Sequence, residues 1–299
     1  MAFLIQSELE RITIKRIKNL VKKTGIKNLV ISGGVGLNCV LNGKLLKETG
    51  IKNIHVFPAS GDTGQSIGNA IWAAFSRLKF KNKSNFKINK DYWGKKYGEK
   101  EIINSLKSFS KKIKYKKLNY GELLEIVSEK IMKGQIVFWF QGRSELGPRA
   151  LGNRSILADP RNKKMKDYLN SKIKHREWFR PYCPSILEEF SKEYFEIEYS
   201  PFMNIAANVK KNKRKLIPAI THVDGTARIQ TVSKEQNTKY YDLIKKFYEK
   251  TGIPILLNTS FNDSGEPIVE SPKDAINSFL KMKGKILVIG DYLIEPKTF

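Results

Sequence analysis

The segment LVISGGVGLNCVLNGKLLKETGIKNIHVFPASGDTGQSIGNAIWAAF, residues 29–75, decides the fold class. Leu29-Val30-Ile31 is a short apolar run that leads straight into Ser32-Gly33-Gly34, and a helical pattern follows from Leu37 to Thr49, ending at Gly50. The same order then returns: a strand over Asn53–Phe57, the loop Ser60-Gly61-Asp62-Thr63-Gly64, and a small-residue helix over Gln65–Phe75. Strand, glycine loop and helix twice in succession is an α/β pattern. Each loop has two readings. It can present backbone N–H groups and a positive helix end to a phosphate, or it can be a tight turn that needs only glycine's freedom. Asp62 could hold a metal ion or order a water beside such a phosphate. Asn38 and Asn42 add polar groups to one helical face at i, i+4 spacing.

Upstream, Leu9, Ile12, Ile17, Leu20 and Val21 give a helix from about Ser7 to Lys23, with Gly25 as its C-terminal cap. Downstream, LKFKNKSNFKINK (residues 78–90) is basic and without period, so a linker is placed there. A second α/β unit begins near Asp91, with helices over Glu99–Phe109 and Tyr120–Lys133 and a strand over Ile136–Phe140. Asp159-Pro160 and Ser271-Pro272 both read as helix starts, a cap residue followed by proline. Late strands are expected at Ile255–Leu257 and Ile286–Ile289, and no internal repeat is present.

A chain of 299 residues with 40% hydrophobic and 28% charged content has the composition of a soluble globular protein of two ordinary domains. No apolar run reaches the roughly 18–20 residues of a membrane span. The start, MAFLIQSELERI, lacks a secretory pattern, so no membrane partner and a cytoplasmic location are expected. Cys39 and Cys183 lack the spacing of a disulfide framework or zinc knuckle. The formal charge of +26 is compatible with nucleic acid. The lysines, however, are spread along the chain with no RNA-binding motif beside them, as on ordinary solvated faces.

Arginine is distributed differently. Of 55 Lys+Arg, arginine takes eleven positions (11, 16, 77, 143, 149, 154, 161, 176, 180, 214 and 228), leaving 55 − 11 = 44 lysines. Six of the eleven fall in FWFQGRSELGPRALGNRSILADPRNKKMKDYLNSKIKHREWFRPYCPS, residues 138–185. A planar, bidentate guanidinium fork suits carboxylate and phosphate oxygens better than an ammonium does. Gly147-Pro148-Arg149 and Gly152-Asn153-Arg154 set such forks on a glycine-punctuated loop, which points to a buried anion site over a solvated basic loop. His222–Arg228 and Asn258-Thr259-Ser260-Phe261-Asn262 are polar clusters beside apolar strands. The second stands at a strand's carboxyl end, where side chains face a ligand crevice. His222 reads equally as a structural or a catalytic histidine, and the three histidines include no i, i+4 pair for a metal.

Together, SGGVGLNCVLN, PASGDTGQSIG, GRSELGPRALGNRSILADPR, KIKHREWFRPYCPS, HVDGTARIQTV and NTSFNDSGEPIVESPKDA resemble the O-carbamoyltransferases that modify nodulation factors, cephamycins and aminoglycosides. The likeness runs in order along nearly the whole chain. It implies the C-terminal part of an actin-like ATPase-fold domain over residues 1–78, a linker over 79–90, and a YrdC-like twisted-sheet domain over 91–299. It also implies a reaction in which carbamoyl phosphate and ATP give carbamoyl adenylate, whose carbamoyl group passes to a hydroxyl of a small-molecule acceptor.

By the same resemblance, Arg149, Lys174 and Arg228 hold carbamoyl phosphate as the catalytic set, with Arg143 and Arg180 in support. Asn258 and Ser260 line the nucleotide part of that pocket. Gly33, Gly34, Asn38, Gly61 and Gly64 contact the adenylate phosphate, and Asp62 is one ligand of a divalent Mg or Fe ion. The family's H-x-x-x-H histidine pair is absent, so that metal site is incomplete here. Tyr92-Trp93-Gly94-Lys95 also replaces the family's usual Tyr-Leu-Gly-Pro. The expectation is a C-terminal fragment or a split-gene product whose transfer step needs an N-terminal half-domain on another chain; a homodimer is also open. The alternatives are a YrdC-like, tRNA-associated RNA-binding protein and an inactive remnant, and the retained arginines argue against the latter.

Overall fold

The computed structural model describes residues 1–80 and 90–297; the expected linker lies, from 81 to 89, outside them. Helix α1 (Ala2–Thr24) ends at Gly25, whose φ of 69° turns its N–H onto Val21 O. Strands β1 (Asn28–Ile31) and β2 (Asn53–Val56) pair in parallel, with Asn28 opposite Asn53, around helix α2 (Cys39–Glu48). Asn38 caps α2 by accepting from Leu41 N–H. Leu41, Leu45 and Ile51 form a small core, closed by Leu9, Ile14 and Ile17 of α1 and by Leu29, Ile31 and Ile54 of the strands. Helix α3 (Gln65–Ser76) follows, apolar in sequence yet with no buried residue.

The larger part contains α4 (Glu99–Ser108), β3 (Ile113–Lys117), α5 (Tyr120–Met132), β4 (Val137–Phe140), β5 (Arg154–Ala158) and α6 (Met165–Tyr168), which widens into a π-helical turn over Leu169–Ile173. Then come β6 (Cys183–Leu187), α7 (Ser191–Tyr194), β7 (Ala206–Asn208), β8 (Thr226–Arg228), β9 (Gln230–Val232), α8 (Thr238–Thr251), β10 (Ile255–Ser260), α9 (Pro272–Lys281), β11 (Ile286–Ile289) and β12 (Tyr292–Pro296). Eight strands form one mixed sheet in the order β3-β12-β11-β4-β5-β10-β6-β9. Only β11–β4 and β6–β9 are parallel pairs. Buried on both faces, the central strands read as unbroken apolar runs, Val137–Phe140 and Ile286–Ile289. The α5–α8 pair packs on β4, β6 and β10, while α9 packs on β4 and β11 with α4 against it.

The α/β reading therefore holds as a mixed α/β fold with one large mixed sheet. Ser271 starts α9 with a capping box to Asp274, as its sequence implies. Asp159-Pro160 does not start a helix. The Asp159 carboxylate accepts Arg161 N–H at 2.8 Å and grips its guanidinium at 2.6 Å, closing a turn, and α6 begins only at Met165. Among the described residues no helix is long and apolar enough to cross a membrane.

The two parts meet along α2. Asn42 Nδ2 donates to Gly36 O (2.8 Å) and Asn204 O (2.7 Å), and Asn204 Nδ2 donates back to Val56 O (2.8 Å). Beside them Gly43 lets the helix backbone touch β7, since a Cβ there would stand 1.9 Å from Ala206 O.

Candidate anion-binding site

The loop between β4 and β5 is shaped by two carboxylates. Glu145 Oε1 accepts N–H groups from Leu151 (2.7 Å), Asn153 (2.9 Å) and Arg154 (3.4 Å). Asp91 accepts Gly147 N–H at 3.2 Å with its side chain and Leu146 N–H at 3.0 Å with its carbonyl. Burial raises both carboxyls, Asp91 to about 7. Pinned on both sides, the loop turns at Gly152 (φ 107°) against the Tyr240 ring and directs Arg149 into a cavity of about 340 Å3.

Four chain segments supply that cavity's remaining polar walls: Lys174, Arg176 and Arg180 after α6, Cys183 opening β6, Arg228 closing β8, and Asn258, Ser260 and Asn262 at the end of β10. Its only lining carboxylate, Asp263, is held by His175 Nδ1 at 2.9 Å. Arg149 and Arg228 have no carboxylate partner among the described residues; Arg228 Nε donates to the Cys183 sulfur at 3.2 Å, and the Cys39 thiol is a second sulfur partner of its guanidinium. Burial lowers the pKa of Arg149, and repulsion from Arg228 lowers it further. Two half-buried like charges without counterions call for an anion between them.

Lys174 is held by the opposite wall. Its ammonium donates to Ser260 O and Asn262 Oδ1, each at 2.7 Å, and to Asn262 O. Burial, then Arg176, brings its pKa down to about 7. Asn258 is fully buried and ties the loop to the sheet: its Nδ2 donates to Ala150 O (3.1 Å) and Ser185 Oγ (3.0 Å).

The structure thus brings Arg149, Lys174, Arg180, Arg228, Asn258 and Ser260 into one cavity. Arg143 stands apart, exposed, donating to Gly94 O at 2.9 Å. Arg154, expected on the glycine-punctuated loop, is instead a core residue that opens β5. It donates to Gln141 O at 2.6 Å and stacks 3.6 Å from the Phe140 ring centroid. Arg176 and Asn262 line the cavity as well; the first stands in the arginine window and the second in the polar cluster after β10, and the sequence assigned neither a role of its own. His222 lies outside it, with Nδ1 3.2 Å from Thr226 Oγ1 and its pKa lowered by burial.

The glycine loops border a second cavity of about 300 Å3, lined by Gly33, Gly61, Asp62 and Gly64 but not by Gly34 or Asn38. Gly33 N–H donates to Ser60 O at 2.8 Å, joining the loops, and Asn38 is occupied with its cap and with Gln6. Asp62 is exposed. Among the described residues no group of three His, Cys, Asp or Glu side chains could hold a metal ion, so the residues present do not fit one.

Residues 128–296 match the family model described as the carbamoyltransferase C-terminus, and residues 1–71 the one described as the carbamoyltransferase N-terminus. The chain is 43% identical over 299 residues to the nodulation protein NolNO of Sinorhizobium fredii, covering 98% of this chain and 43% of that one. It is 41% identical over 298 residues to NolO of Bradyrhizobium diazoefficiens (98% and 54%). To a 3'-hydroxymethylcephem-O-carbamoyltransferase of Amycolatopsis lactamdurans it is 32% identical over 265 residues (88% and 48%). The chain spans about half the length of these relatives. Matched over more than half its length by the C-terminal model, with both models in chain order, this protein belongs to the carbamoyltransferase family.

Proposed function

We propose that the chain binds carbamoyl phosphate in the arginine-lined cavity and joins its carbamoyl group to the α-phosphate of ATP. Carbamoyl phosphate, ATP and one water then give carbamoyl adenylate, pyrophosphate and inorganic phosphate. The observation that carries this reading is the Arg149–Arg228 pair, half-buried and without a carboxylate. A phosphate dianion between the two forks relieves their repulsion and neutralises charge that grows as phosphoryl bonds change. Arg176, with Nε fixed 2.8 Å from Asn170 Oδ1, adds a third fork, and Lys174 a positive charge against the β10 wall. Asn258 holds the loop that carries Arg149.

The larger part is read as the YrdC-like adenylating domain, residues 1–78 as part of the actin-like transfer domain, and the carbamoyl acceptor as a hydroxyl of a small molecule. Transfer is assigned to an assembly with a further polypeptide segment. Parallel strands are ordinarily covered on both faces, and a two-stranded pair does not support itself. Here Val30, within β1, is 73% exposed, and no residue of α3 is fully buried. Among the described residues Asp62 stands without the further side chains that a metal ion would need.

The test is pyrophosphate release from ATP by the purified chain, with and without carbamoyl phosphate. Release that depends on carbamoyl phosphate and is lost in Arg149→Ala supports adenylation. No release, with no ATP binding by calorimetry, overturns it.

A further inference from the structure

The turn Glu177–Arg180 is an anomaly of burial. Trp178 is 76% exposed and Phe179 61%, their rings edge-to-face with centroids 5.9 Å apart. Adjacent large aromatics at a loop tip forgo the burial such side chains ordinarily gain. Yet the tip is rigidly held. Asn170, only 1% exposed, donates from Nδ2 to Trp178 O (3.2 Å) and Arg180 O (3.0 Å). Its Oδ1 accepts from Arg176 Nε and Tyr182 Oη, each at 2.8 Å. Arg180 N–H closes the turn on Glu177 O, and His175 is held at a φ of 44°, strained for a residue with a Cβ, beside Asp263. One buried asparagine therefore fixes the aromatic tip together with the two arginines that flank it, and both arginines line the anion cavity.

The cavity itself offers a base no platform. Its polar walls are cations, amides, hydroxyls and the Asp263 carboxylate, and its one aromatic ring, Tyr182, is already covered by Arg176 at 4.5 Å. We propose that Trp178 and Phe179 are the stacking surface for the adenine ring of ATP, placed where the triphosphate reaches the cavity arginines. This rests on the nucleotide reading above and adds the subsite that separates a nucleotide from a bare polyphosphate. Aromatic faces hold bases through stacking strong enough to be read in affinity.

The experiment compares ATP with inorganic tripolyphosphate, which has the phosphates and no base, by calorimetry on the full chain. Trp178→Ala is expected to weaken ATP by about tenfold or more and to leave tripolyphosphate unchanged. Trp178→Phe, which keeps a ring, is expected to restore most of the loss. Equal weakening of both ligands, or none of either, overturns the platform. If the unsubstituted chain binds tripolyphosphate as tightly as ATP, the platform fails while the anion site stands. If it binds neither, the anion site fails and the platform with it.

Discussion

Lys174 and Asn262 are joined twice: the ammonium donates to both the side-chain oxygen (2.7 Å) and the carbonyl of Asn262. Those acceptors favour the charged amine, while burial and then Arg176 oppose it, so Lys174 titrates near 7. A bound phosphate favours the charged form and raises that pKa. Binding near pH 7.5 is therefore expected to take up a proton, and affinity to fall as pH rises above about 7. Calorimetry in two buffers of different ionisation enthalpy measures the uptake; heats that do not depend on the buffer would contradict it. In Asn262→Ala the ammonium loses a side-chain acceptor, and the fall in affinity is expected to begin at lower pH.

Arg149 and Arg228 repel each other in the free protein. Arg149→Met is therefore expected to leave the unfolding midpoint unchanged or raised while weakening carbamoyl phosphate by about tenfold or more, the loss of a charge-assisted contact. Arg149→Lys keeps the charge and loses the fork, so its affinity is expected to fall between the two. A midpoint that drops sharply in Arg149→Met would assign the residue a structural role instead.

Glu145 accepts three backbone N–H groups across the turn that carries Arg149. Glu145→Ala leaves those donors buried without an acceptor, which is expected to cost about 3 kcal/mol in urea unfolding. Anion affinity should fall with it, although Glu145 does not line the cavity. Glu145→Gln retains one acceptor oxygen and should lose less on both counts.

The elements that the sequence made legible are those with local causes. Gly25 and the Ser271–Asp274 capping box mark helix ends through bonds within a few residues. Asp159-Pro160 misled because the same local chemistry can close a turn, and Arg161, two residues on, settled the choice. The arginine window marked side chains that meet in one cavity but could not sort its members. Arg149 and Arg154 stand five residues apart in one loop, and their fates diverge because the chain enters β5 at Arg154 and folds that side chain under Gln141 O. Asn170 carried no pattern at all. Its role arises only when the π-helical turn faces the Trp178 turn, a contact that periodicity does not encode.

The contact between the two parts rests on a missing side chain. At Gly43 a Cβ would meet Ala206 O at 1.9 Å, backbone against backbone, with no flexible side chain to yield. Gly43→Val is therefore expected to lift α2 from β7 without disturbing the large sheet, whose core lies elsewhere. The reporter is Cys39, the first residue of α2, whose thiol is shielded and its pKa raised by burial, with Arg228 opposing that rise. Thiol labelling of Cys39 is expected to quicken by about tenfold, the ratio for ~1.4 kcal/mol of lost docking. Cys183, buried at the start of β6, should label at its former rate. If both cysteines quicken together, the substitution has loosened the larger part as well, and α2 is then a structural support of the anion cavity rather than a separable neighbour.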